Sequence, residues 1–163
     1  KSFGVQRKSR ESLQRRFRLM WFDAVYEPGQ LKVVAYDENG KPAAQKIVNT
    51  AGAPHRLELS TSSKGLSADG EDLAYVTVKV VDKDGNLCPL DNRLVKFKTA
   101  GAASYRAAAN GDPTSLELFH LPQMRVFSGM LTVILQASRN PGECTLEASA
   151  DGVKPGKIAL QVR

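Results

Sequence analysis

Five aspartates stand in short polar stretches: Asp69, Asp72, Asp82, Asp84 and Asp112. Asp82-Lys83-Asp84-Gly85-Asn86 places oxygen-bearing side chains at alternate positions, as the opening of a calcium loop does. Calcium takes about 6–8 oxygen ligands, and a helix–loop–helix site closes on a bidentate glutamate. Here the glycine falls early, that glutamate is missing, and no flanking helices are expected. The stretch reads instead as an Asx-rich turn, whose carboxylates bind nearby main-chain amides. His120 is a lone histidine with no nucleophile or carboxylate pair set beside it in the sequence, and it reads as structural, while His55 lies in the linker and is given no role. No catalytic residue, cofactor site or metal site is assigned.

The turn ends the clearest element of the chain. In Ala68–Asp84, Val76, Val78 and Val80 alternate with Thr77 and Lys79, the period of a half-buried antiparallel strand. The region 55–163 yields about seven such strands: Arg56–Ser60, Leu73–Val81, Arg93–Thr99, a weak Ser104–Ala109, a long Val126–Ser138, Glu143–Ser149 and Lys157–Val162. Seven strands in about 100 residues, with turns every 8–12, match an all-β, immunoglobulin-like sandwich with antiparallel sheets in Greek-key order. In that order the strand from Leu73 and the strand from Glu143 run the same way. Cys88 lies beyond the end of the first and Cys144 at the start of the second. They should sit at opposite ends of the sandwich, too far apart for a disulfide, which needs Cα atoms within about 7 Å.

Residues 1–54 read as the C-terminal part of a truncated Ig-like β domain, and residues 55–163 as a complete Ig-like sandwich of the bacterial, invasin-like kind. Strands are expected at Ser2–Val5, Phe17–Phe22, Leu31–Tyr36 and Gln45–Thr50, with Asn39-Gly40 at a hairpin tip. Arg10–Arg16 would make at most a turn of helix, because it lacks an apolar stripe. Ala51-Gly52-Ala53-Pro54 breaks the strand pattern, and the domain boundary is placed there. About 54 residues in four strands cannot cover a sandwich of their own, and Lys1 is not a natural start. The chain is therefore expected to be a piece of a longer protein, with any export signal outside it.

The net charge of +6 is confined to one place. Residues 1–18 hold seven basic groups and the single acid Glu11, while the remainder carries 16 of each sign. A terminal basic segment of this kind reads as a solvated arm, and nucleic acid is not expected as a partner. The apolar runs fall well short of the about 20 residues that a spanning helix needs, so no membrane contact is expected either.

Two constellations remain as contact candidates. Asn110, Asp112, Leu116 and Phe119 belong to a polar loop that runs into an apolar cluster with Leu118, Leu121 and Pro122. The cluster would serve either as a docking surface for a neighbouring domain or as the lid of its own core, with the lid the preferred reading. Trp21 and Tyr26 could stack on a sugar, although aromatics make up only 7% of the chain, and core packing suits Trp21 better.

Taken in order, several segments resemble a known arrangement. Tyr26-Glu27-Pro28-Gly29-Gln30-Leu31-Lys32-Val33-Val34-Ala35-Tyr36 and Thr50-Ala51-Gly52-Ala53-Pro54 resemble the penultimate Ig-like domain of bacterial glycoside hydrolase family 2 enzymes, the β-galactosidase group. Ala68–Leu73, Asn110–Ser115 and Pro141–Ser149 resemble the final one. The resemblance implies a non-catalytic C-terminal region of a periplasmic or secreted enzyme that cleaves terminal β-glycosidic bonds. Its TIM barrel lies upstream and supplies both carboxylates of a retaining mechanism. The implied partners are the other domains of the same polypeptide, with carbohydrate and self-association also open. A carbohydrate-binding module and an adhesin-type Ig-like stalk are the rival readings. Electrostatic binding of nucleic acid through residues 1–18 is a further rival, which predicts a steep salt dependence.

Overall fold

The computed structural model describes residues 1–163. They fall into two compact units, Lys1–Ile47 and Val48–Arg163.

The first unit is sparse. Its helix α1 (Leu13–Phe17) is capped by Ser12, whose hydroxyl accepts from the Arg15 amide at 3.4 Å. Strands β1 (Gln30–Tyr36) and β2 (Pro42–Asn49) pair in a two-stranded sheet. Asp37 organises their turn by accepting the amides of Asn39 and Lys41 at 2.9 and 2.8 Å, and Gly40 adopts φ 76° at its tip. The strands expected at Ser2–Val5 and Phe17–Phe22 do not form. Alternation alone does not make a strand, because the ladder also needs a partner strand; α1, which the Ser12 cap starts, lies over the turn of helix expected at Arg10–Arg16 and takes only Phe17 of the second segment. Phe17 and Phe22 are left 66% and 80% exposed.

The second unit is an antiparallel β-sandwich of eight strands. One sheet has the order β10-β9-β5-β7, from Gly156–Val162, Gly142–Ser149, Leu94–Gly101 and Gln123–Arg125. The other has the order β3-β4-β8-β6, from Arg56–Ser60, Leu73–Val81, Met130–Ala137 and Ala103–Ala109. The alternation read from the sequence becomes the core. Ala74, Val76, Val78 and Val80 of β4 and Leu131, Val133 and Leu135 of β8 face Val95, Phe97, Cys144, Leu146 and Ala148 of the opposite sheet, all buried. Each fully buried valine or leucine contributes roughly 1.5–3 kcal/mol of transfer free energy. The rings of Phe97 on β5 and Tyr105 on β6 stack across the two sheets, with centroids 5.9 Å apart and planes 15° from parallel.

Two strand expectations need correction. Val126–Ser138 is not one strand, because Ser128 (φ 51°) and Gly129 (φ 74°) make a tight turn bridged by Phe127 and Met130. The residues before that turn supply a separate strand, β7, which raises the count to eight. Ser104–Ala109, weak in the sequence, is a full strand with a bulge between Tyr105 and Ala107.

Both cysteines are free and buried. Cys88 lies against Gly129, just before β8, while Cys144 pairs with Gly101, beside the Ala102–Ser138 hydrogen bond that follows β8. The eight residues of β8 separate them, at roughly 3.3 Å each. Burial pushes both thiols up from their usual range, and the nearby Asp82 and Asp91 carboxylates add to this at Cys88.

Candidate interaction surface

The loop between β6 and β7 carries four of the residues singled out from the sequence, and it divides them by role. The two polar ones build the loop. Asn110 accepts the Asp112 amide at 3.0 Å and donates through Nδ2 to the Arg125 carbonyl at 3.0 Å. Asp112 accepts the amide and the hydroxyl of Thr114 at 2.8 and 2.7 Å. The Thr114 amide, and then its hydroxyl, hold the Asp112 carboxyl below the usual carboxylate range. Farther along, Glu117 accepts the Arg125 amide at 3.1 Å, and the Phe119 carbonyl receives the Ala108 amide at 2.9 Å and the Tyr105 hydroxyl at 2.9 Å.

The two apolar ones are presented to solvent by this frame. Leu116 is 95% exposed, and Phe119 and Leu118 are each 57% exposed. With Arg106 and the exposed His120 they line a shallow open depression. The lid-of-the-core expectation therefore does not hold for this cluster. Tyr105 and Ala108 of β6 tie the loop down at the Phe119 carbonyl, and Tyr105 reaches the Leu121 carbonyl as well, while the Leu116, Leu118 and Phe119 side chains stay exposed.

Trp21 and Tyr26 lie in irregular chain after α1. Tyr26 is 74% exposed, whereas the Trp21 indole N–H is shielded from solvent without a hydrogen-bond partner. Trp21 is part-buried and lies outside the strands, and it is not a member of the core cluster. His55 acts through its main chain: its amide donates to the Val81 carbonyl at 2.8 Å and its carbonyl accepts the Lys154 amide at 2.9 Å.

The aspartate turn is more than a turn. Asp82 is 2% exposed. Its Oδ1 accepts the amides of Asp84 and Asn86 at 2.9 and 2.8 Å; its Oδ2 accepts the Gly52 amide at 2.8 Å and Asn86 Nδ2 at 3.0 Å. The Gly52 amide first, and then the Asn86 side chain, hold its carboxyl far below the usual range. These donors occupy both oxygens, which is the arrangement of an Asx clamp. A second buried carboxylate, Asp91, binds the Arg93 guanidinium at 2.7 Å, and Arg93 Nη1 donates to the Asp151 carbonyl at 2.7 Å. Burial alone would push Asp91 up, but Arg93 outweighs it and the carboxyl lies low. The long-range role of Asp82 was not read from the sequence. Its signal was parity: Asp82 continues the inward positions 76, 78 and 80.

Comparison with known proteins places these features. Residues 57–159 match the model of the glycoside hydrolase family 2 C-terminal domain 5, and residues 1–44 match a domain of unknown function (DUF4982). The chain is 38% identical to a β-galactosidase (BoGH2A) of Bacteroides ovatus over 98% of its own length and 18% of that protein. It is 31% identical to a β-glucuronidase of Formosa agariphila, over 86% of this chain and 14% of that one. Among solved structures, a β-glycosidase from Bacteroides vulgatus superposes with a TM-score of 0.80 at 26% identity, covering 84% of this chain and 18% of that one. A family 2 member from Bacteroides cellulosilyticus gives 0.78 at 26% identity, over 86% of this chain and 18% of that one. The chain thus corresponds to under a fifth of each of these larger proteins. It belongs to glycoside hydrolase family 2, as C-terminal β-sandwich sequence carrying that family's C-terminal domain 5.

Proposed function

We propose that this chain is a non-catalytic scaffold region of a β-galactosidase-like glycosidase. The whole enzyme would hydrolyse terminal β-glycosidic bonds, β-galactosides foremost, by a retaining mechanism whose carboxylates lie in another domain. It would work in the periplasm or outside the cell. The observation that carries this reading is the division of labour in the β6–β7 loop: polar side chains spent on internal bonds hold Leu116 and Phe119 out as an apolar contact. Exposed apolar groups on a rigid frame suit a permanent partner, here the other domains of the same polypeptide.

The carboxylates support the same reading. A glycosidase acid must hold its proton near neutral pH, which requires a raised pKa. Asp82, Asp91 and Asp112 are all shifted the other way by their donors.

The test is hydrolysis of p-nitrophenyl β-galactoside and β-glucuronide by purified chain 1–163, alongside the longer enzyme. The chain alone should be inactive while the longer enzyme turns over. Activity in the chain that is lost on substituting one of its own carboxylates would overturn the proposal.

A further inference from the structure

The charge excess has a structure. Gln6 Nε2 donates to the Met20 carbonyl at 2.7 Å and closes the intervening residues into a loop. Inside it, the Ser9 amide reaches the Arg15 carbonyl at 3.4 Å, which sets Lys8 and Arg10, the neighbours of Ser9, beside α1. The loop thus gathers Arg7, Lys8, Arg10, Arg15, Arg16 and Arg18, all exposed. The ion pairs of the molecule are Arg56–Glu58 and Arg93–Asp91, so none of the six is neutralised by a carboxylate. The acid among them, Glu11, is engaged with the Ser9 hydroxyl at 3.3 Å. Cations reinforce one another within a screening length of about 8 Å at physiological salt.

An aromatic ring is built into the same loop. The Arg16 guanidinium lies 5.5 Å from the centroid of the Phe17 ring, which remains 66% exposed. A guanidinium beside an open ring matches a ligand that carries an anion next to an apolar face. A uronic acid unit has that form: its carboxylate can pair bidentately with an arginine, and the C–H face of its pyranose can lie on an aromatic ring.

We propose that the loop 6–20 is a binding surface for carboxylated glycan chains, with the six cations pairing carboxylates and Phe17 receiving a sugar face. The choice of a glycan over a nucleic acid rests on the glycosidase reading above. The binding itself is measured without any hydrolysis, so the two can fail separately.

The experiment titrates chain 1–163 with polygalacturonate, neutral dextran and poly(dT), at low and at physiological salt. Polygalacturonate should bind and dextran should not, and affinity should fall by at least about tenfold as salt rises, since released counterions drive the pairing. Replacing the six loop cations with glutamine should cause a similar loss. A control replacing Lys64, Lys83, Lys96, Lys98, Lys154 and Lys157 with glutamine makes the same change in net charge on the sandwich and should leave binding within about twofold. Phe17→Ala should weaken binding severalfold with the salt slope unchanged. The proposal is overturned if the control loses as much as the loop variant, if poly(dT) binds more tightly than polygalacturonate, if dextran binds equally well, if Phe17→Ala has no effect, or if polygalacturonate does not bind.

Discussion

Asp82 accepts the main-chain amide of Gly52 at 2.8 Å across 30 residues of sequence, from a position only 2% exposed. The bond joins the segment leading into the sandwich to the end of its second strand. Asn49 Nδ2 adds a contact to Asn86 Oδ1 at 3.1 Å, and Cys88 Sγ lies 3.8 Å from the Gly52 carbonyl. One carboxylate thereby fixes both the turn after β4 and the strap that precedes β3.

This makes stability depend on acid pH. The folded Asp82 carboxyl titrates below its unfolded value of about 3.9. A depressed folded value means that the stabilisation is complete above the unfolded value and is lost as pH falls through it toward the folded one. Thermal melts of the wild type should therefore drop steeply below about pH 4. Asp82→Asn should melt lower at pH 7, because its amide would turn a donor toward other donors, and its melting point should respond less to acid. Equal acid slopes in the two proteins would refute the assignment.

The sandwich was legible because its code is local. Val76, Val78 and Val80 alternate with Thr77 and Lys79, and β4 forms over Leu73–Val81 as read. What stayed hidden depends on partners distant in sequence. Phe17, Leu19 and Trp21 alternate with Arg18, Met20 and Phe22, but the segment has no strand to pair with. The Ser128–Gly129 turn needs a positive φ at a serine, which composition does not announce. The exposure of Leu116 and Phe119 belongs to a loop held by Asn110, Asp112 and the distant Tyr105, and no periodicity in the loop encodes it.

The glycines give a graded test of close packing. A Cβ on Gly101 (φ 89°) would lie 2.0 Å from the Glu143 carbonyl oxygen, and one on Gly129 (φ 74°) 2.3 Å from that of Cys88. Gly111 (φ 79°) opens onto free space. Gly111→Ala should cost only the left-handed backbone penalty, about 1–2 kcal/mol. Gly101→Ala and Gly129→Ala must displace main chain as well and should cost clearly more by urea denaturation.

Core truncation should be costly and indifferent to the contact loop. Leu146 is fully buried between the sheets, and Leu146→Ala should lose about 2–5 kcal/mol through the cavity it leaves. Denaturant midpoints measured on the single chain would show this directly.

Leu116 and Phe119 should behave in the opposite way. Both are exposed, and the hydrogen bonds that shape their loop come from Asn110, Asp112, Glu117, Tyr105 and the main chain, so neither side chain supports the loop it stands on. Leu116→Asp combined with Phe119→Asp should leave the melting of chain 1–163 within about 0.5 kcal/mol of wild type, the usual range for surface changes. In the longer enzyme the same pair would place two carboxylates in a contact that excludes water, which is unfavourable without partners. Its first melting transition should fall, or limited proteolysis should release the C-terminal region faster. Unchanged melting and proteolysis of the longer enzyme would mean that the loop faces solvent there too, and the docking role would be lost.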